Sequence, residues 1–279
     1  MFTEQMIETS GGAHLHVRSM GGGPPVLVIP SLGRGVEDFS ELAHRLADAG
    51  FLTILPEPRG IGRSMGPPPD DLFDLAGDVT AVIEAMGTGP VQIIGHAFGN
   101  RVARATAALS PSLVRSVALL AGGGEIAPAP EISAAVRGAV SEGVKPDAER
   151  LKDIDLAFFA AGGDARVWLH GWHAKAAQAQ TMAGRATEVS RWWTAGEAPV
   201  LFVQAKEDPV APPGNAAALA RDIGARLSLI TLAHASHAIL PEQPVAVAAL
   251  LTLWLRGERD ARILQAAADG ATRVPGAKS

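Results

Sequence analysis

The chain contains no cysteine. Disulfide frameworks, thiolate catalysis and cysteine-ligated zinc are therefore excluded. The absence suits a cytoplasmic protein. Long apolar runs are also missing. The run at residues 26–29 is far too short to span a bilayer, so no membrane association is expected. The N-terminal stretch has no basic segment followed by an apolar run, and no secretory signal is expected. Basic excess is lacking as well. The net charge is −5, which leaves no electrostatic footprint for nucleic acid. There is no repeat of solenoid length. His170 and His173 could share a helix face, but nothing joins them at ligand spacing, so no metal and no cofactor are expected. The expected partner is a small-molecule substrate, and no pattern in the sequence sets the oligomeric state.

What is present is a chain of 279 residues that is 47% apolar and 19% charged, enough to bury one large core. Residues 6–9 and 14–18 flank a Ser-Gly-Gly turn and read as an antiparallel pair. The run at 26–29 is short and wholly apolar, as in parallel strands covered on both faces. Helical spacing follows at 39–49, where Phe39, Leu42, Ala43, Leu46 and Ala49 share a face. Strands at 51–55, 91–94 and 114–120 then alternate with helices at 71–86 and 98–109. The alternation implies a mostly parallel sheet with right-handed crossovers. It stops at Gly122-Gly123-Gly124. Residues 125–196 look helical without a strand and read as an inserted lid. Alternation resumes with strands at 200–204 and 227–232 and helices at 215–223 and 244–255. The expected organisation is an α/β core over 1–124 and 197–269, a helical cap over 125–196, and a frayed tail over 270–279.

The chemistry concentrates at strand ends. Gly95-His96-Ala97-Phe98-Gly99 joins a strand directly to a helix. Such a turn is tight and strained, and its central residue projects above the sheet edge. The helix start beyond it offers unpaired N–H groups that favour developing negative charge. Downstream, Asp208-Pro209-Val210-Ala211-Pro212 follows one strand, and His237 follows the last strand. The order is turn, acid, histidine. Upstream, Arg59-Gly60-Ile61-Gly62-Arg63-Ser64 follows another strand.

Together these motifs resemble the α/β-hydrolase superfamily of the helical-cap type, over nearly the whole chain. The resemblance implies an α/β-hydrolase fold and an ester, lactone or amide hydrolase acting on a small, fairly apolar molecule. It implies that Ala97 stands at the nucleophile position and that His237 is general base and then general acid. Asp208 would orient His237, and the backbone N–H groups of Leu32 and Phe98 would form the oxyanion hole. Glu125, at the tip of the preceding strand, is the alternative acid. Three positions depart from the family pattern. Pro30-Ser31 replaces His-Gly before the oxyanion residue, Glu57 replaces an aspartate, and Asn100 stands where a second glycine is common.

Alanine has no oxygen with which to attack a carbonyl. Two origins are open: a catalytic serine replaced by alanine, or an alanine native to the chain. In the second case a His237–Asp208 dyad could activate water or deprotonate an acidic substrate, as in lyases and cofactor-independent oxygenases of this fold. A silent binding protein is the third reading. Trp168, Trp172 and Trp192 are expected mainly as lid core, with one or two lining a substrate pocket beside Ser31. His96 and His234 are expected to be structural, Ser64 a turn cap, and His14 and His16 surface residues.

Overall fold

The structure is a computed structural model, and it describes residues 1–272. Eight strands form one sheet: β1 (Thr3–Glu8), β2 (His14–Gly21), β3 (Pro25–Ile29), β4 (Leu52–Pro56), β5 (Val91–His96), β6 (Val114–Leu120), β7 (Val200–Ala205) and β8 (Leu227–Leu232). Their spatial order is β1-β2-β4-β3-β5-β6-β7-β8. β1 and β2 pair antiparallel, as do β2 and β4; every other pairing is parallel.

Side chains alternate faces along a strand, and here both faces are buried. Leu27, Ile29, Ile93, Val117, Leu119 and Phe202 enter one core with helices α2 (Leu72–Met86), α3 (Phe98–Leu109) and α7 (Gly214–Ile223). Val26, Val28, Ile94, Ala118, Leu120 and Leu201 enter the opposite core with α1 (Ser40–Asp48), α9 (Pro244–Leu255) and α10 (Ala261–Ala271). This explains why the central strands read as continuous apolar runs.

Helix limits follow local chemistry. Asp71 caps α2 by accepting from the N–H groups of Phe73 (2.7 Å) and Asp74 (3.2 Å). Gly87 ends α2 in the left-handed region, at φ 61°. Pro244 opens α9 at a position where no N–H is needed.

Between β6 and β7 the chain forms α4 (Pro130–Val140), α5 (Asp147–Phe158), a short 3-10 turn at Ala165–Trp168, and α6 (Ala174–Ala186). Phe158, Phe159, Trp168 and Trp172 form a small core of their own there, together with Ile154 and Ala238. Ala238 belongs to the loop after β8, so this cluster seats the helical segment over that loop.

Two features differ from the sequence reading. The chain continues past residue 255 into α10, whose Leu264 and Ala268 pack beneath the sheet. Gln265 on α10 satisfies both backbone groups of Thr231 on the edge strand β8, at 2.9 and 2.8 Å. Residues 270 and 271 are helical rather than frayed; the remainder of the expected tail, from 273, lies outside the described residues. His16 is buried, not on the surface, because Glu57 lies 3.0 Å from its Nδ1 and Glu4 3.3 Å from its Nε2. Among the described residues no helix is long and apolar enough to cross a membrane.

Candidate active site

The turn between β5 and α3 is built by close backbone approach. A Cβ on Gly95 would lie 2.5 Å from the Gly99 carbonyl oxygen. A Cβ on Gly99 would lie 2.5 Å from the Pro30 carbonyl oxygen and would also strike that of Ile29. Only glycine fits either place. Between them Ala97 adopts φ 49°, ψ −113°, a conformation that side chains disfavour. Its N–H donates to the Leu120 carbonyl at 3.0 Å. Its own carbonyl accepts from the Asn100 N–H at 3.1 Å and from the Asn100 side-chain amide. Asn100 therefore has a use that glycine could not supply. Its Oδ1 accepts in turn from Arg104.

Arg104 is fully buried and has no carboxylate partner among the described residues. It also donates to the Gly123 carbonyl, and its guanidinium lies 4.5 Å from the ring of Trp192 and 4.6 Å from that of Trp193. Burial pushes its pKa well below the usual guanidinium range. Trp192 thus sits against α3 in the sheet-face core, away from the Trp168 cluster.

Asp208 follows β7 and His237 follows β8. The His237 Nδ1 lies 2.9 Å from Asp208 Oδ2 and 3.1 Å from Oδ1. The carboxylate can only accept, so Nδ1 carries the proton and Nε2 is left as the basic nitrogen. Oδ1 also accepts from the N–H groups of Val210 (2.8 Å) and Ala211 (2.9 Å), which fixes the carboxylate. Both side chains are buried. His96, beside Ala97, donates from Nε2 to the His237 carbonyl at 2.8 Å. Burial and the neighbouring His237 hold the His96 pKa down to about 3. It is therefore a neutral donor.

The loop after β3 runs Pro30-Ser31-Leu32-Gly33-Arg34. It is held from the lid on both sides of Gly33. The Gly33 N–H donates to Gln180 Oε1 at 2.8 Å, and the Gly33 carbonyl accepts from the His173 N–H at 2.9 Å. Phe98 opens α3, so its amide is one of those the helix leaves unpaired. Leu32 is half-buried and Ser31 buried. Arg34 is one residue that sequence reasoning missed. It is buried, forks onto Asp38 (2.8 and 2.6 Å) and donates to the His170 carbonyl at 2.7 Å. Its guanidinium also lies 5.2 Å from the Trp168 ring and 4.8 Å from the Trp172 ring. It ties the loop to the lid.

The helical segment between β6 and β7 packs over the dyad. Phe158 stacks on His237 with ring centroids 5.6 Å apart, and Trp168 meets His96 at 6.0 Å. Trp172 stacks on Phe158 at 5.5 Å. The Ala238 N–H donates to the Phe158 carbonyl at 2.7 Å. Ala97 is only 8% exposed.

The structure brings Asp208 and His237 into contact and places His237 against the elbow. Glu125 is exposed, and its backbone N–H is bound by Asn215 Oδ1 at 3.0 Å. Glu57, in place of the family aspartate, accepts from the Arg63 N–H at 2.6 Å and closes its own turn. Ser64 completes that turn by donating to the Glu57 carbonyl at 2.8 Å. His234 adopts φ 52°, and its carbonyl accepts from Gln243 at 2.9 Å. His170 pairs with Glu142 at 3.2 Å, and no group of three or more potential metal ligands occurs among the described residues.

Comparison with known proteins agrees with this fold. Residues 24–141 match the family profile described as alpha/beta hydrolase fold, and residues 166–278 match that of TAP-like protein. The 2-(acetamidomethylene)succinate hydrolase of Mesorhizobium japonicum is 35% identical over 108 residues, 38% of each chain. An epoxide hydrolase of Caballeronia sordidicola is 28% identical over 111 residues, 39% of this chain and 34% of its own. These matches span well under half the length of either relative. The solved structure of an esterase from Exiguobacterium antarcticum superposes with a TM-score of 0.77 at 19% identity, covering 91% of this chain and all of its own. Sheet order, elbow and the two adjoining family matches converge: the chain belongs to the α/β-hydrolase superfamily.

Proposed function

We propose that this chain has the machinery of a hydrolase for a small, fairly apolar ester, lactone or amide, with its nucleophile position occupied by Ala97, as an inactive serine-to-alanine form or a native variant. One observation carries the reading. Ala97 holds the strained elbow backbone at φ 49°, while His96 next to it binds the loop of a buried His237–Asp208 dyad. A strained conformation costs of order 1–3 kcal/mol and persists where surrounding structure enforces it. In this reading the strained backbone serves a nucleophilic side chain at position 97, which alanine does not supply.

In this reading His237 Nε2 accepts the proton of the attacking group and later delivers it to the leaving group. Asp208 keeps the tautomer and stabilises the imidazolium. The amides of Phe98 and Leu32 receive the negative charge that forms on the carbonyl oxygen. The aromatic lid around Phe158, Trp168 and Trp172 supports an apolar substrate. The named relatives, a 2-(acetamidomethylene)succinate hydrolase and an epoxide hydrolase, support hydrolysis as the reaction class.

With alanine at 97 the covalent route is closed. The intact dyad supports a second reading, in which His237 activates water directly, because Asp208 leaves Nε2 basic whatever stands at 97. Turnover of activated aryl esters by the parent chain and by Ala97→Ser separates the two. The main reading expects Ala97→Ser to gain about 10,000-fold or more. The second expects turnover by the parent chain that His237→Ala abolishes. Saturable ligand binding with no turnover in either protein would instead indicate a binding protein.

A further inference from the structure

Outside the elbow and dyad, two neighbouring cations on α3 differ in what they bind. Arg104 donates to the carbonyls of Asn100, Gly123 and Trp193 and to Oδ1 of Asn100. Arg101 makes no hydrogen bond and no ion pair among the described residues. It is half-buried, and burial holds its pKa below the usual guanidinium range with no acidic group to offset this. The charge that acts on Arg104 is the like charge of Arg101.

The surroundings of Arg101 are apolar and rich in donors. It lies one turn after Phe98, which opens α3. A Cβ on Gly184 of α6 would lie 3.3 Å from Cε2 of Phe98 and 3.6 Å from Nη1 of Arg101. The phenyl ring and the guanidinium therefore both meet the lid at Gly184. The ring of Trp192 lies 5.8 Å from the Arg101 guanidinium and 4.5 Å from that of Arg104. The Trp192 Nε1–H is buried and has no acceptor among the described residues.

We infer that Arg101 is the anion-binding residue of a carboxylate site between α3 and α6, walled by Phe98 and Trp192. A guanidinium withdrawn from water needs acceptors for its N–H groups, and a ring face supplies none. Two like charges side by side with no acid between them need a negative group. The planar fork of arginine matches the two oxygens of a carboxylate. Half-burial leaves Arg101 within reach of a ligand. The site goes beyond the hydrolase reading and does not depend on what stands at residue 97.

Calorimetric titration of the full chain at neutral pH tests this with phenylacetate and its neutral counterpart phenylacetamide. The acid should bind at least about tenfold more tightly than the amide. Arg101→Gln should remove that difference, and Arg101→Lys should restore little of it, because an ammonium lacks the fork. Arg262→Gln, which alters an exposed arginine paired with Asp260, should keep it. The Trp192 indole N–H resonance should shift on adding the acid and not the amide. Acetate separates the two sources of a carboxylate: affinity equal to that of phenylacetate identifies a free small anion, and weaker affinity identifies an acid with an apolar body. No binding of phenylacetate, or equal affinity for acid and amide in the wild-type chain, would overturn the proposal whether or not the variants fold. So would selectivity retained by a folded Arg101→Gln, or binding that leaves Trp192 unshifted. The readout needs no turnover, so a chain inactive after Ala97→Ser would count against the hydrolase reading while leaving this result to stand by itself.

Discussion

His96 and His237 are joined through a ring nitrogen and a carbonyl: Nε2 of His96 donates to the His237 backbone oxygen at 2.8 Å. The residue beside the elbow thus fixes the loop that carries the base. Because burial and the neighbouring His237 keep His96 neutral in the fold, its titration ties stability to pH. The unfolded chain protonates His96 near 6.5, whereas the folded chain holds it neutral to about 3. The contribution is complete above pH 6.5 and is lost as pH falls towards 3, at about 1.4 kcal/mol per unit. Urea unfolding should show the wild-type chain losing about 2 kcal/mol more than His96→Gln between pH 6.5 and 5. Equal losses would mean that His96 titrates normally.

The elbow glycines and its central alanine should respond in opposite directions. Gly99→Ala places a methyl group against the carbonyls of Ile29 and Pro30, and soluble protein should be lost or its stability reduced by about 3 kcal/mol or more. Ala97→Gly relieves φ 49° and should stabilise by about 1 kcal/mol in thermal unfolding. Ala97→Ser should leave stability nearly unchanged.

Arg34 is expected to hold the lid. Arg34→Ala leaves Asp38 without its fork and Trp168 and Trp172 without their cation, and should cost about 3 kcal/mol. Arg34→Lys should recover little of this, since an ammonium cannot make the paired contact. Tryptophan emission should shift red in both variants as the lid aromatics meet water. Unchanged emission would show that the lid stays seated without the fork.

Much of this was legible in the sequence because it is written locally. The strands at 114–120 and 227–232 and the helices at 98–109 and 244–255 match their expected limits, each bounded by a glycine, a proline or a change of period. The elbow, Asp208 and His237 are readable because each sits at the end of an apolar run in a fixed order. α10 was not readable, because only Leu264 and Ala268 of its residues are buried. The roles of Arg34, Gln180 and Asn100 were not readable either. Their partners are backbone groups and rings brought near by the fold, and an isolated polar residue carries no trace of such a partner. Glu125 illustrates the reverse: its place at a strand tip is suggestive, yet its side chain faces solvent and Asn215 binds its backbone.

The central claim is that residue 97 is a nucleophile site served by His237. Covalent labelling tests it most directly. Ala97→Ser should be modified at residue 97 by a small alkyl fluorophosphonate, seen as one adduct in the intact mass. Ala97→Ser combined with His237→Ala should be modified at least about 1,000-fold more slowly, and the parent chain not at all. A folded Ala97→Ser chain that takes no adduct, or takes it equally fast without His237, would contradict the account.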